Sequence, residues 1–324
     1  MSADIAGYIV FPTWLTPDIA PGLPIRWYGI MYLLAFATTY FLFRREAVRS
    51  GLGASQEATD GFFFWAIIGV LVGGRLGYVL FFDTSTDYLS RPWLVVWPFR
   101  DGRFTGIQGM NYHGGLVGAA VAVVVYTRVK KLNMLDWGDT LALCAPLGYT
   151  FGRIGNFVNE ELHGRVTTVP WGVVFPRARY FPRDLDWVQS IEQQANLDVD
   201  PMARMVTLPR HASQLYEALL EGVVLWLILW FVFRKQRPFK GAAISLYVVG
   251  YGIARMIAEF YRESGDASRI AAGGYLPDGL LVPGSPVIDT AQWLSLSMAA
   301  IGVGLFVLFR ILHRPPPTVE TFAG

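Results

Sequence analysis

The chain has 324 residues, of which 53% are hydrophobic and only 16% charged, with a formal net charge of +2 and a mean hydropathy of +0.37. That balance is too oily for a water-soluble surface. A single cysteine, Cys144, excludes an intrachain disulfide, and four scattered histidines without an HExxH spacing argue against a metal centre.

The N-terminal MSADIAGYIVFPTWLTPDIAPG lacks the basic start, apolar core and small-residue cleavage site of a signal peptide, so insertion falls to the spans themselves. A crossing helix needs about 20 apolar residues. Seven candidates follow in chain order: 27–43, 62–82, 111–127, 137–157, 213–233, 242–262 and 288–310. The third has the shortest apolar run, GGLVGAAVAVVVYT between His113 and Arg128. The expected fold is an all-α integral membrane protein with seven transmembrane helices, residues 1–324 forming a single multi-pass domain. Recurrent glycines in GVLVGGRLG, GLVGAAVAV and VVGYGIA suit helices packed closely through small residues. The run GVLVGGRLG lacks the strand-turn-helix context of a phosphate loop.

Orientation follows from the short basic loops RREAVRSG, TRVKKLN and RKQRPFKG and the tail RILHRPPP, which face the cytoplasm under the positive-inside rule. The N-terminus is then outside and the C-terminus cytoplasmic. The basic residues fall in short juxtamembrane loops, which gives nucleic-acid binding no support. Two outer segments are too long for turns: an arm at 83–110, rich in Trp, Pro and Arg, and a head excursion at 163–212 with five prolines. Both are expected to rest at the interface, where Trp and Arg sit well.

Polar residues inside the spans share a depth. Counting from each cytoplasmic end, Tyr28 stands about 24 Å up, His113 and Arg255 about 22 Å, Arg153 about 26 Å and Arg75 about 21 Å. Glu217, Glu221 and Glu259 fall at about 26, 20 and 28 Å. An arginine at membrane depth is costly unless paired or hydrated, so it marks a site by default. Bland readings stand beside that one. Arg75 alone would snorkel; Arg255 and Glu259, four apart, would neutralise each other. Glu217 and Glu221 repel unless an arginine from another helix intervenes or one is protonated, which reads as structural rather than catalytic. His113 alone reads as a core histidine, and Asn159 and Glu160 as helix terminators.

The run GRIGNFVNEELHG at 152–164 matches all eight fixed positions of the pattern GRxGNFxNxExxG. It resembles the signature of the bacterial prolipoprotein diacylglyceryl transferases. Further blocks follow in the family's order: RWYGIMYLLAF at 26–36, GGRLGYVLFF at 73–82, YHGGLVG at 112–118, RHASQLYEALLEG at 210–222 and GYGIARMIAEFYR at 250–262. The outer segments and the C-terminal tail resist comparison. Two departures fall at variable positions: the family often has Gly where Glu160 stands and an aromatic where His163 stands.

The resemblance implies transfer of the diacylglyceryl group of phosphatidylglycerol to the lipobox cysteine thiol of a preprolipoprotein, with a thioether formed and glycerol phosphate released. It implies a bacterial cytoplasmic (inner) membrane location with the site toward the outer, periplasmic leaflet. Phosphatidylglycerol, lipobox preprolipoproteins and membrane lipid are the implied partners, and no cofactor is implied. The reaction makes three demands. The thiol must lose its proton, the lipid phosphate must be held as charge grows on it, and both substrates must share one cavity.

Histidine suits the first demand, and only His113 combines depth with a family motif; a carboxylate or water stays open as the base. Arginine suits the second through its planar bidentate donors, which points to Arg153 and Arg255, with Asn156 and Tyr28 as neutral donors. Glu161 and Glu259 orient those arginines or bind glycerol hydroxyls. Gly155 and Gly164 allow close approach, and Asn159 and Arg75 complete the expected substrate-binding set. A transporter for an anionic solute is the rival class, but the inner halves of the spans are almost wholly apolar. A noncatalytic lipid-binding scaffold is the third, and it would need the arginines without His113.

Overall fold

The computed structural model describes residues 8–20, 25–81, 87–95, 97, 99–100, 103–104, 109–197, 199–263 and 290–313. Much of the expected 83–110 arm, the start of the last expected span at 288–289 and the basic tail beyond His313 lie outside the described residues. Among the described residues the long helices are α1 (Trp27–Arg49), α2 (Gln56–Phe81), α3 (Tyr112–Val129), α4 (Met134–Val158), α6 (Ser213–Phe233), α7 (Ala242–Glu259) and α8 (Thr290–Leu312), with the short α5 (Asp186–Gln194) in the head. Four of them, α2, α6, α7 and α8, are long and apolar enough to cross a membrane, and α3 is apolar but shorter. The chain is thus mostly helical and of multi-pass membrane type. It divides into two compact units, residues 44–138 and residues 1–43 with 139–324.

In the first of these units, α2 and α3 run antiparallel along a seam of glycines. A Cβ at Gly73 would collide with the Gly114 carbonyl, and one at Gly118 with the Gly69 carbonyl. Small residues let two backbones touch where lipid supplies no hydrophobic drive between helices. The Tyr126 hydroxyl closes one end of the seam by donating to the Ala58 carbonyl at 2.9 Å. At the other end Asn111 caps α3, its Oδ1 accepting from the His113 N–H at 2.7 Å and the Gly114 N–H at 3.3 Å.

The larger unit holds α6, α7, α8 and the parts of α1 and α4 within 1–43 and 139–324. Asp139 on α4 supplies what α7 lacks at its start: its carboxylate accepts the Gly241 and Ile244 N–H groups at 2.8 and 2.9 Å. Gly241, with φ 90°, adopts a backbone that favours glycine. Those N–H groups have no partner within α7, so Asp139→Ala is expected to lower stability by about 1–3 kcal/mol, read as an earlier unfolding midpoint in detergent. In α6 the hydrogen bonding widens to π turns over Ala218–Val224 and Ile228–Phe233, a local change common at functional sites.

The 163–212 excursion packs around two small cores, one of Val166, Phe181, Val188, Ile191, Val206 and Leu208, the other of Val173, Phe175, Ala178 and Ala212 with Phe11 from the N-terminal segment. Short pairings frame them: β1 (Ile9–Val10) lies parallel to β4 (Val173–Val174), and β5 (Phe181–Pro182) antiparallel to β6 (Met205–Val206). In the smaller unit, β2 (Phe99–Arg100) pairs antiparallel with β3 (Arg103–Phe104).

Candidate active site

Three helices of the larger unit each present a stripe of polar residues. On α4 the stripe is Tyr149, Arg153 and Asn156; on α6 it is Glu217 and Glu221; on α7 and just beyond it, Arg255, Glu259 and Arg262. Spacings of three and four place such residues on one helical face. The stripes meet at Glu217, whose side chain is fully buried. Its Oε2 receives Arg153 Nη2 at 3.1 Å, Arg255 Nη1 at 2.7 Å and Arg262 Nη1 at 3.4 Å. Its Oε1 is buried without a hydrogen-bond partner among the described residues.

Around that centre the charges interlock. Arg255 also reaches Glu221 Oε1 at 3.4 Å and Glu259 Oε2 at 2.7 Å, the latter a charge contact rather than an aligned hydrogen bond. Glu221 also accepts from the Tyr149 hydroxyl. Arg153 Nε donates to Tyr149 Oη at 2.5 Å and Nη1 to Asn156 Oδ1 at 3.4 Å, while Asn156 Nδ2 donates to Glu161 Oε1 at 2.7 Å. Three guanidinium groups therefore face three carboxylates, with Glu161 one bond further out. Buried charge persists only when paired in this way.

Glu217 and Glu221 are the like-charged pair that the sequence alone reads as repulsive, and Arg255 from another helix stands between them. The expected site residues do not include Arg262 or Tyr149. The i, i+4, i+7 repeat shared by Tyr149, Arg153 and Asn156 and by Arg255, Glu259 and Arg262 was the available signal. Tyr28 lies over Gly155, where a Cβ would stand 3.1 Å from its ring. Asn159 ends the helix-linked turn with its N–H on the Gly155 carbonyl at 3.0 Å and its Oδ1 buried without a hydrogen-bond partner among the described residues. Gly164 is pinched between backbones, its N–H on the His211 carbonyl at 2.9 Å, and a Cβ there would stand 2.5 Å from both the His211 and Tyr261 carbonyls. Arg210, fully buried, ties this point to the end of α7, its Nη1 donating to the Gly164 carbonyl at 3.1 Å and to Glu263 at 2.7 Å.

Two of the expected residues belong to the smaller unit. His113 is exposed in the first turn of α3. Arg75 is 6% exposed and does not snorkel. Its Nε donates to the Val95 carbonyl at 2.6 Å, its Nη1 to the Gly109 carbonyl at 3.2 Å, and its Nη2 to Tyr88 Oη and the Leu94 carbonyl, both at 3.0 Å. Every guanidinium nitrogen of Arg75 thus holds the arm.

The two departures at variable positions face the head. Glu160 has φ 52°, a backbone that costs a non-glycine residue energy; its carboxylate accepts the Arg177 N–H at 3.1 Å. His163 packs its ring on Phe175 with centroids 4.5 Å apart. Burial and then the Arg210 charge push its pKa down to about 4, so at neutral pH it is an uncharged aromatic. The unfolded chain, with a histidine pKa near 6.5, binds the extra proton first. The stabilisation is complete above about pH 6.5 and is lost as pH falls toward 4, a change on the order of 2 kcal/mol. His163→Phe is expected to flatten that acid limb in thermal unfolding measured from pH 7.5 to 4.

Among known proteins, the family described as Prolipoprotein diacylglyceryl transferase matches residues 17–308. A relative from Treponema pallidum (strain Nichols), named phosphatidylglycerol–prolipoprotein diacylglyceryl transferase, is 40% identical over 323 residues, covering 94% of this chain and 96% of its own. Proteins of the same name from Treponema denticola and Neisseria meningitidis serogroup A are 41% identical over 318 residues and 40% over 296. They cover 93% and 89% of this chain, and 91% and 92% of their own. With a family match from residue 17 to residue 308 and relatives alike over nearly their whole length, the chain belongs to the prolipoprotein diacylglyceryl transferase family.

Proposed function

We propose that this protein transfers the diacylglyceryl group of phosphatidylglycerol to the lipobox cysteine thiol of preprolipoproteins. The thiol gives up its proton, a sulfur–carbon bond forms at the glyceryl carbon, and the carbon–oxygen bond to phosphate breaks, releasing glycerol phosphate. One observation carries the reading: Arg153 and Arg255, from two helices, converge on the same buried oxygen of Glu217. Guanidinium groups so placed offer bidentate donors where phosphate charge grows. Glu217 holds them in position until a phosphodiester competes for the same donors.

In this reading Arg153 and Arg255 clamp the phosphate. Asn156, fixed by Glu161, and Tyr28 are neutral donors to the lipid headgroup, and Glu259 steers Arg255. Gly164 and Asn159 shape the loop where lipid and peptide meet. His113 serves as the general base that takes the thiol proton. Arg75 steadies the arm beside the lipid through its bonds to the Val95, Leu94 and Gly109 carbonyls. The seven helices all span the bilayer as one multi-pass domain, with the N-terminus outside and the C-terminus cytoplasmic. The arm and head then lie at the outer face of the bacterial inner membrane, where the site opens toward the periplasmic leaflet.

The deciding experiment incubates purified protein with phosphatidylglycerol and a lipobox peptide and weighs the product. A peptide heavier by one diacylglyceryl group supports the proposal. An unmodified cysteine peptide, or equal modification of a serine-for-cysteine control, removes it.

A further inference from the structure

Two hydroxyls on α1 stand beside the charge cluster. Tyr28 and Tyr32 are four residues apart, on one helical face, with ring centroids 4.8 Å apart at 77° and hydroxyl oxygens 3.0 Å apart. The face is fixed by packing: a Cβ at Gly155 would stand 3.1 Å from Tyr28 Cδ2 and 3.3 Å from Met31 Cβ, so α1 lies directly on the fingerprint helix. The Tyr32 hydroxyl is within electrostatic reach of both Arg153 and Glu161.

Two phenols carry two protons, and the bond between them consumes one. The second remains for an acceptor outside the pair. Tyr28 sits in the first turn of α1 and Tyr32 one turn further along the helix, deeper in hydrocarbon in the orientation proposed above. A hydroxyl at that depth needs an internal partner, and the Tyr28 oxygen is at hand. Tyr28 is the member nearer the headgroups.

We propose that Tyr32 donates to Tyr28 and so aims the Tyr28 proton at an oxygen of the lipid phosphate or glycerol held by Arg153. Tyr32 is a positioning residue that acts through Tyr28, and the proposal rests on the diacylglyceryl-transfer reading. The pairing also explains why a phenol stands on α1 although its side chain is 40% exposed. It orients a partner rather than packing a core.

The test uses full-length protein with phosphatidylglycerol in detergent micelles and a lipobox peptide, reading thioether product by mass. The unaltered chain comes first. Absence of product there would remove the transfer reading, and the relay with it. With product established, Tyr32→Phe is expected to lower kcat about tenfold, the worth of one oriented hydrogen bond, with KM for phosphatidylglycerol unchanged. Tyr28→Phe is expected to lose more, and the double variant no more than Tyr28→Phe alone. Four results overturn the relay: wild-type kcat in Tyr32→Phe, an effect confined to KM, a Tyr28→Phe loss no larger than that of Tyr32→Phe, or a double variant losing the product of the two single losses. The last would make Tyr32 an independent contact.

Discussion

Replacing Arg153 with lysine is expected to slow thioether formation about 10²–10³-fold, the effect of losing one preorganised donor to a developing anion. Lysine keeps the charge but loses the planar fork. The structure says why the fork matters here. Three nitrogens serve three partners in three directions: Nε to Tyr149 at 2.5 Å, Nη1 to Asn156 at 3.4 Å and Nη2 to Glu217 at 3.1 Å. One ammonium cannot span them, so a lysine would reach Glu217 or Asn156 and leave the other loose. The loss should appear in kcat while the variant stays folded, which far-ultraviolet circular dichroism in detergent checks. Ordinary turnover by a folded Arg153→Lys protein would remove the phosphate-clamp assignment.

Glu217→Gln is expected to damage stability more than any other single change of one atom in this cluster. The substitution keeps the shape and removes the charge that Arg153, Arg255 and Arg262 share. Removing one partner of a buried ion pair costs about 3–5 kcal/mol, because the charges left behind stay buried. Added salt will not rescue the variant, since screening acts weakly on groups out of solvent. Thermal unfolding of the purified variant in detergent reads the effect directly. An unfolding midpoint equal to that of the parent would mean that the three arginines are neutralised elsewhere.

The positions of the helices were legible because apolar runs and basic loops are local features. The expected span 213–233 coincides with α6, and 242–262 contains α7. Depth arithmetic also grouped Arg153, Arg255, Glu217, Glu221 and Glu259, since rise per residue is constant along any helix. For Arg75 the sequence supplies only an expected height; its partners are the Val95, Leu94 and Gly109 carbonyls, and a backbone carbonyl has no residue signature. The head misled in another way: its prolines and charges hid two small cores, because Val166, Val188 and Leu208 lie too far apart in sequence to show a period.

By itself the sequence determined the class of protein, the positions of the long helices and the fingerprint that carries the family resemblance. Those properties depend on residue type and on neighbours within a turn or two. Only the folded chain decided that Glu217 lies between Arg153 and Arg255, turning a repulsive-looking pair of carboxylates into the counter-charge of the site. Helix spacing dictates which side chains share a face, whereas the meeting of three faces depends on close packing between segments tens of residues apart, which no local pattern encodes.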